Sequence, residues 1–129
     1  MKVFVCIDDK NGMMFNKRRQ SKDRVLIEKI KEIANGEQIF ASEYSAKILP
    51  DATLCENFES IEGFAFVENP EDLFENQIKV LYIFKWNRHY PSDRKFNMNL
   101  TNFELVSTED FVGYSHENIT LEIYERKGE

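Results

Sequence analysis

Apolar and polar positions change their period along the chain, and each change predicts an element. Residues 3–7 form a β-branched and aromatic run that ends at an Asn11-Gly12 turn signal, which predicts a first strand. An apolar stripe of helical period at Leu26, Ile30 and Ile33 follows. This stripe predicts a first helix for which Ser21 is a suitable N-cap, with Asp23 in the first turn and an end at residues 35–36.

The remaining pattern continues the alternation of strands and helices as far as residue 83. Ser42 is placed to cap a short helix that reaches Ile48, and Pro70 is placed at the first position of a brief helix that reaches Glu75. We expect the strands at residues 38–41, 52–55, 63–67, 80–84, 103–107 and 119–124. This order predicts an α/β fold of one domain, residues 1–129, with a parallel core and an antiparallel C-terminal edge.

Composition and charge restrict the kind of partner. The chain has 129 residues, 42% of them hydrophobic, which is enough for one hydrophobic core. Its formal net charge of −6 argues against nucleic acid and membrane surfaces as partners, because both attract clustered cationic charge. The charge is uneven: residues 1–35 hold nine Lys/Arg and five Asp/Glu, whereas residues 36–129 hold eight and eighteen. Residues 48–78 contain no Lys or Arg, and we interpret them as a solvated acidic surface.

The sequence lacks the motifs of several classes of enzyme and metal site. His89 and His116 lie in separate loops without a metal-ligand spacing, and the two cysteines form no CxxC pair, so we expect no metal. The chain has no nucleophile elbow and no phosphate-binding glycine loop. We assign no catalytic residue. The absence of a leader and of a long apolar run predicts a cytoplasmic protein.

Two stretches carry a resemblance to a known family. KVLYIFKWNRHYPSDRKFNMNL, then NFELVSTEDF, then ENITLEIYERK, resemble the C-terminal end of dihydrofolate reductase. Residues 3–7, the Asn-Gly turn, Phe15-Asn16 and the first helix are similar to the opening of that family, and residues 38–45 are similar to its second strand and the helix start that receives cofactor phosphate. The resemblance implies a dihydrofolate reductase-like fold: a central mixed sheet flanked by helices.

The departures from that family imply a truncated, divergent member. The family's carboxylate near the start of the first helix, which fixes the pterin ring, is replaced by Gln20 or Ser21, with Asp23 arriving later. Glu43 stands where the cofactor phosphate would be received, and the Gly-Gly-x-x-x-Tyr segment is absent. We therefore expect no cofactor and no ordinary reductase activity, although an NADPH-dependent oxidoreductase with an altered substrate is one alternative.

Two clusters are candidate ligand-binding residues. Arg18 and Arg19 precede a helix start, where free backbone N–H groups favour an anion, and Asn16, Gln20 and Ser21 add hydrogen-bonding groups. The alternative is a solvated basic loop paired with the acidic half.

The second cluster follows the strand at residues 80–84. Trp86, Arg88 and His89 combine an aromatic ring with cationic and hydrogen-bonding groups on one loop. The alternative is that Trp86 and Tyr90 simply cover the sheet edge. The sequence thus favours either a reductase-like domain that binds an anionic small molecule, such as a nucleotide or folate-like acid, or a non-enzymatic interaction or regulatory protein that forms a homo-oligomer or joins another chain.

Overall fold

A seven-stranded mixed sheet organises residues 1–128, the part of the chain that the computed structural model describes. In chain order the elements are β1 (Lys2–Ile7), β2 (Gly12–Phe15), β3 (Arg18–Arg19), α1 (Arg24–Ala34), β4 (Ile39–Ala41), α2 (Glu43–Ala46), β5 (Thr53–Leu54), β6 (Phe64–Phe66), β7 (Val80–Lys85), β8 (Arg94–Lys95), β9 (Phe103–Phe111) and β10 (Ile119–Arg126). The strand order in the main sheet is β5-β4-β6-β1-β7-β10-β9.

The pairing of these strands confirms the predicted α/β architecture. β1 lies parallel to β6 on one side and to β7 on the other, and β4 continues the parallel part beside β6. β10 then pairs antiparallel with both β7 and β9, so β9 forms the outer edge. A second sheet of three short strands, in the order β3-β2-β8, lies beside the main one.

Alternate residues of β1 serve two hydrophobic layers. Val3 and Val5 belong to one layer, and Phe4 belongs to the other, where it stacks on Tyr82 at 4.8 Å between ring centroids. Leu26 and Ile30 of α1 pack in this second layer. Burial of both faces explains why the central strands are apolar throughout rather than alternating with polar residues.

The N-cap of the first helix lies two residues later than the sequence predicts. Asp23, not Ser21, is the N-cap: it has extended backbone angles, and its side chain accepts hydrogen bonds from the amides of Val25 and Leu26. Asn35 ends the helix in the left-handed conformation, φ 50°, as predicted. Ser42 caps α2 as predicted, through the amide of Ser45.

Two predictions about short elements need correction. Residues 70–75 do not form one brief helix: two separate 3₁₀ turns, Pro70–Asp72 and Glu75–Gln77, are divided by residues 73–74 in extended conformation. The predicted strand at residues 103–107 runs on to Phe111, and its residues 104–110 are exposed. Among the helices of residues 1–128, none is long and apolar enough to cross a membrane.

Candidate functional site at the carboxyl ends of β1 and β7

Four segments of the chain meet at the end of the main sheet where β1 and β7 terminate. β1 and β7 are parallel neighbours, so the residues that follow them lie side by side. β10 starts at this same edge, because Thr120 pairs with Lys85 at the end of β7. The site is therefore built from residue 8, residues 16–23, residues 86–93 and residues 112–118. Open α/β sheets bind ligands at this kind of edge.

Asp8, directly after β1, connects residues 16–23 to residues 86–93. Its buried carboxylate accepts hydrogen bonds from the amides of Gly12 (2.7 Å) and Tyr90 (3.0 Å) and from Gln20 Nε2 (3.1 Å). Burial by itself would raise the pKa of Asp8, but the accepted hydrogen bonds outweigh burial and lower it. Asp8 is thus a fixed anion with a structural role.

Asp23 has an even more complete set of partners. Oδ1 accepts from the amides of Val25, Leu26 and Tyr114, at 2.9, 3.3 and 2.9 Å. Oδ2 accepts from the amide and hydroxyl of Ser115, at 2.9 and 3.3 Å, and lies 2.9 Å from His116 Nδ1. Burial would raise the pKa of Asp23, yet these hydrogen bonds hold it well below its ordinary value. A carboxylate has about four acceptor positions, so this one is saturated by the protein itself.

His116 lies in the middle of the site and connects the loop before β10 to residues 21–23. The ring is buried and stacks on Trp86 at 4.6 Å between centroids. Its Nδ1 faces Asp23, and its Nε2 lies 3.0 Å from Ser21 Oγ and 3.1 Å from the hydroxyl oxygen of Tyr90. Ser21, His116 and Asp23 therefore form a continuous hydrogen-bonded chain.

Two glycines permit the close approaches that this arrangement needs. A Cβ on Gly113 would stand 2.7 Å from Asp23 Oδ2 and 2.8 Å from Ile119 Cδ1. A Cβ on Gly12 would stand 2.5 Å from Gln20 Nε2. Real Cβ atoms do not come so close to other atoms, so a side chain at residue 113 would displace Asp23, and one at residue 12 would displace Gln20 and Ser92, whose Cβ would lie 2.7 Å away.

Two of the predicted ligand-binding residues have other roles in the structure. Arg19 forms a bidentate pair with Glu68, with Nε 2.7 Å from Oε2, and its guanidinium lies over the ring of Tyr44 at 4.2 Å. It is thus paired within the acidic half, as the alternative interpretation expected. Trp86 is 3% exposed and packs against His116, so it is a core residue of the site and not part of a recognition surface.

Other predicted residues do line one cavity. A cavity of about 320 Å³, which we call the Arg18 cavity, is lined by Phe15, Asn16, Arg18, Arg19, Gln20, Tyr90 and Pro91. Gln20 Oε1 is buried and has no hydrogen-bond partner within residues 1–128. Ser21 does not cap the helix but contacts His116. Arg88 and His89 are exposed on the loop after β7 and do not line this cavity.

A larger cleft was missed by sequence reasoning. It has a volume of about 500 Å³, and we call it the Lys47 cleft; it is lined by Lys22, Asp23, Arg24, Ile27, Lys47, Ile48, Tyr114 and Ser115. Lys22, Arg24 and Lys47 are exposed cations, and within the described chain none of the three pairs with a carboxylate. The cleft joins three segments that are distant in sequence, so no local pattern indicates it.

The place where the resemblance puts the cofactor does not suit a dinucleotide. At the start of α2, Glu68 lies with Oε1 2.7 Å from Ser45 Oγ and 3.0 Å from Arg19 Nη2. A carboxylate already occupies the donors that a phosphate would need, and its charge repels a second anion. Glu43, the residue that the sequence singled out there, is exposed. The residues present therefore do not fit NADPH.

The described residues do not form a metal-binding cluster. Within residues 1–128, no group of three or more His, Cys, Asp and Glu side chains is arranged to hold a metal ion. His116 lies beside one carboxylate, that of Asp23, and its other nitrogen faces two hydroxyl groups. Neutral hydroxyls are poor third and fourth ligands for zinc.

Comparison with known proteins gives a match in structure. The chain is similar to dihydrofolate reductase from Enterococcus faecalis, solved in complex with NADP(H) and RAB-propyl, with a TM-score of 0.67, 14% sequence identity, and coverage of 98% of this chain and 96% of that one. No protein-family model matches the chain, and no curated protein matches it in sequence. The chain thus has the dihydrofolate reductase-like fold.

Proposed function

We propose that this domain of the dihydrofolate reductase-like fold binds an anionic small molecule, such as a nucleotide or a folate-like acid, in the Lys47 cleft, and that it does not catalyse the reductase reaction. The observation that carries the proposal is the composition of that cleft. Ile27 and Ile48 provide apolar surface, and Lys22, Arg24 and Lys47 provide three cations that form no ion pair within the described chain and that outnumber the single carboxylate of the lining, Asp23. An apolar pocket with a few convergent charges is typical of a small-molecule site.

The aromatic residue of the cleft favours a ligand that is flat as well as anionic. Tyr114 is 67% exposed, which is unusual for such a large ring, and the guanidinium of Arg24 lies over it at 4.5 Å. A planar heterocycle can stack on an exposed ring, while the ligand's acid groups are neutralised by the nearby cations. Nucleotides and folate-like acids combine these two parts.

The state of Asp23 argues against reductase chemistry in the same cleft. In the family that the sequence resembles, a carboxylate at the start of the first helix fixes the pterin ring and supports its protonation. Asp23, which the sequence predicts in the first turn, is the N-cap of that helix. Its oxygens accept three contacts each from this chain, so no acceptor is left for a pterin.

Thermal-shift screening tests the binding. The panel contains nucleoside mono-, di- and triphosphates, folate and dihydrofolate, with uncharged nucleosides and pterin as matched neutral compounds. A true ligand at a hundred times its Kd should stabilise the domain by about 2.7 kcal/mol, which corresponds to a rise in Tm of roughly 10 °C for a domain of this size. The neutral compounds should give much smaller shifts.

Charge-removing variants then locate the site. Lys47→Gln and Arg24→Gln should each weaken binding of the anion about tenfold, equivalent to about 1.4 kcal/mol, and leave the ligand-free Tm unchanged. Arg18→Gln is the matched control, because Arg18 is an exposed cation of the neighbouring Arg18 cavity. A larger loss for Arg18→Gln than for Lys47→Gln would move the site to the Arg18 cavity. No shift with any anion would refute the proposal.

A further inference from the structure

The hydrogen-bonded chain of Ser21, His116 and Asp23 has the geometry of an activated nucleophile. We infer that Ser21 is a reactive serine that accepts acyl groups from small carboxylic esters, with His116 as its general base and Asp23 as the group that orients the imidazole. The distances are 3.0 Å from Ser21 Oγ to His116 Nε2 and 2.9 Å from His116 Nδ1 to Asp23 Oδ2. A nucleophile hydrogen-bonded to a base, which a third group orients, is the arrangement required for covalent catalysis.

The surroundings of His116 fix its tautomer. Asp23 is an anion with hydrogen-bond acceptors only, so Nδ1 of the neutral ring carries the proton and donates it to Oδ2. The lone pair of Nε2 then faces Ser21 Oγ. This is the orientation that a base needs in order to remove the hydroxyl proton.

The base and its orienting group are buried, whereas the serine is partly exposed. His116 and Asp23 are 4% and 3% exposed, and Trp86 stacks on the imidazole. Ser21 is only half-buried and lies outside the helix, between Gln20 of the Arg18 cavity and Lys22 of the Lys47 cleft. Ser21 itself is not among the residues that line either cavity, so this inference does not rest on the binding proposal above.

The reaction is an acyl transfer in which every proton has a destination. Ser21 Oγ attacks the ester carbonyl carbon and forms a C–O bond, while the carbonyl π bond opens to place its electron pair on the oxygen and the serine proton passes to His116 Nε2. The carbonyl then re-forms as the bond from carbon to the alcohol oxygen breaks, and His116 returns the proton to the departing alcohol. Water attacks the acyl-Ser21 ester by the same route in reverse, which releases the carboxylic acid and restores the serine.

Tyr90 gives the inference an independent check. Its hydroxyl lies 3.1 Å from the same Nε2 and competes with Ser21 for the lone pair. Removing that hydroxyl in Tyr90→Phe leaves Nε2 to Ser21 alone. The variant should therefore react faster than the wild type, by about threefold, whereas a hydroxyl that only holds the structure together would give no increase.

The experiment uses a fluorophosphonate probe on the full chain, with the adduct located by mass spectrometry, and 4-nitrophenyl acetate as the ester. We expect an adduct at Ser21 that forms at least a hundred times faster than at Ser115. Ser115 is the internal control, because it is an exposed serine that contacts Asp23 and His116 Nδ1 but not Nε2. Ser21→Ala should abolish the adduct and the ester hydrolysis, and His116→Gln should reduce both at least a hundredfold.

Two results would overturn the inference. One is wild-type labelling of Ser21 at the rate of Ser115, which decides the matter even if His116→Gln fails to fold. The other is an unchanged Ser21 adduct in a His116→Gln variant that keeps the wild-type near-ultraviolet circular dichroism. Either result would mean that the three residues only fasten the loop before β10 to the start of α1.

Discussion

Asp23 combines three structural roles in one side chain. It caps α1, accepts hydrogen bonds from the amides of Tyr114 and Ser115 and from the Ser115 hydroxyl, and orients the ring of His116. Ser21 and Asp23 are both good N-cap types, so composition alone does not choose between them. The loop more than ninety residues later decides which of the two caps the helix. It supplies donors to Asp23, whereas the Ser21 hydroxyl contacts His116.

Replacement of Asp23 by Asn should lower the free energy of unfolding by about 3 kcal/mol at pH 7, because a buried partner of His116 and several amides is lost. The folded-state pKa of Asp23 is depressed, so its contribution is complete above the unfolded-state value near 4 and disappears as the pH falls toward the folded-state value. Urea unfolding at pH 7 and pH 3 should show a smaller difference between wild type and variant at pH 3.

Asp9→Asn is the control for this prediction. Asp9 is an exposed carboxyl residue of the turn after β1. Its replacement should change the free energy of unfolding by less than about 0.5 kcal/mol at both pH values. If Asp23→Asn lowers the free energy of unfolding equally at pH 7 and pH 3, the assignment of a charged, hydrogen-bonded carboxylate is wrong.

At the scale of elements, the ion pair of Arg19 and Glu68 connects the small sheet to the main one. Arg19 belongs to β3, and Glu68 follows β6 closely, where it also accepts from Ser45 next to the α2 cap. The side chains are 16% and 9% exposed, so the pair is partly desolvated. Such a pair contributes more than an exposed one, and the loss of one partner leaves a poorly solvated charge.

Arg19→Leu should therefore lower the free energy of unfolding by about 2 kcal/mol, whereas Arg18→Leu should lower it by less than about 0.5 kcal/mol. Arg18 is the adjacent, exposed cation and has no ion-pair partner within residues 1–128. Chemical denaturation measures both. If Arg19→Leu, Glu68→Gln and the double variant all have wild-type stability, the pair does not hold the sheets together.

The elements that the sequence predicts well are those with a long periodic signal. The stripe of α1 and the apolar runs of β1, β7 and β10 gave the parallel core and the antiparallel edge, because burial on one or both faces determines these patterns. β3 and β8 have two residues each and were not predicted. A two-residue strand has no period, and its pairing depends on where the neighbouring loops are held.

At the scale of the whole molecule, the Lys47 cleft and the polar site depend on contacts between distant segments. Lys22, Lys47 and Tyr114 are neighbours only because α1, the turn after α2 and the loop before β10 lie at one sheet edge. The basic N-terminal segment of the sequence suggested the anion binding that we propose, but the candidate residues included Arg19 and Trp86, which the folded chain uses internally. Only the assembled sheet distinguishes paired from unpaired cations.

The global arrangement also leads to a prediction about turnover. Purified protein mixed with NADPH and dihydrofolate should give no protein-dependent loss of cofactor absorbance. Glu68 occupies the phosphate donors at α2, and Asp23 has no acceptor left for a pterin. An active dihydrofolate reductase, measured in the same buffer, is the positive control, and saturable cofactor oxidation by this protein would contradict the assignment.

The outer strand β9 bears on the solubility of the protein. Its residues 104–110 are exposed, and within residues 1–128 no strand pairs with its outer edge, so that edge is a template on which a second copy could add. An antiparallel copy centred on Ser107 would place Glu104 opposite Asp110 at both ends of the new ladder. Like charges directly opposite each other destabilise a strand pair. Glu104 and Asp110 thus disfavour the addition of a second copy to this edge, which is how charged gatekeeper residues oppose growth of a sheet.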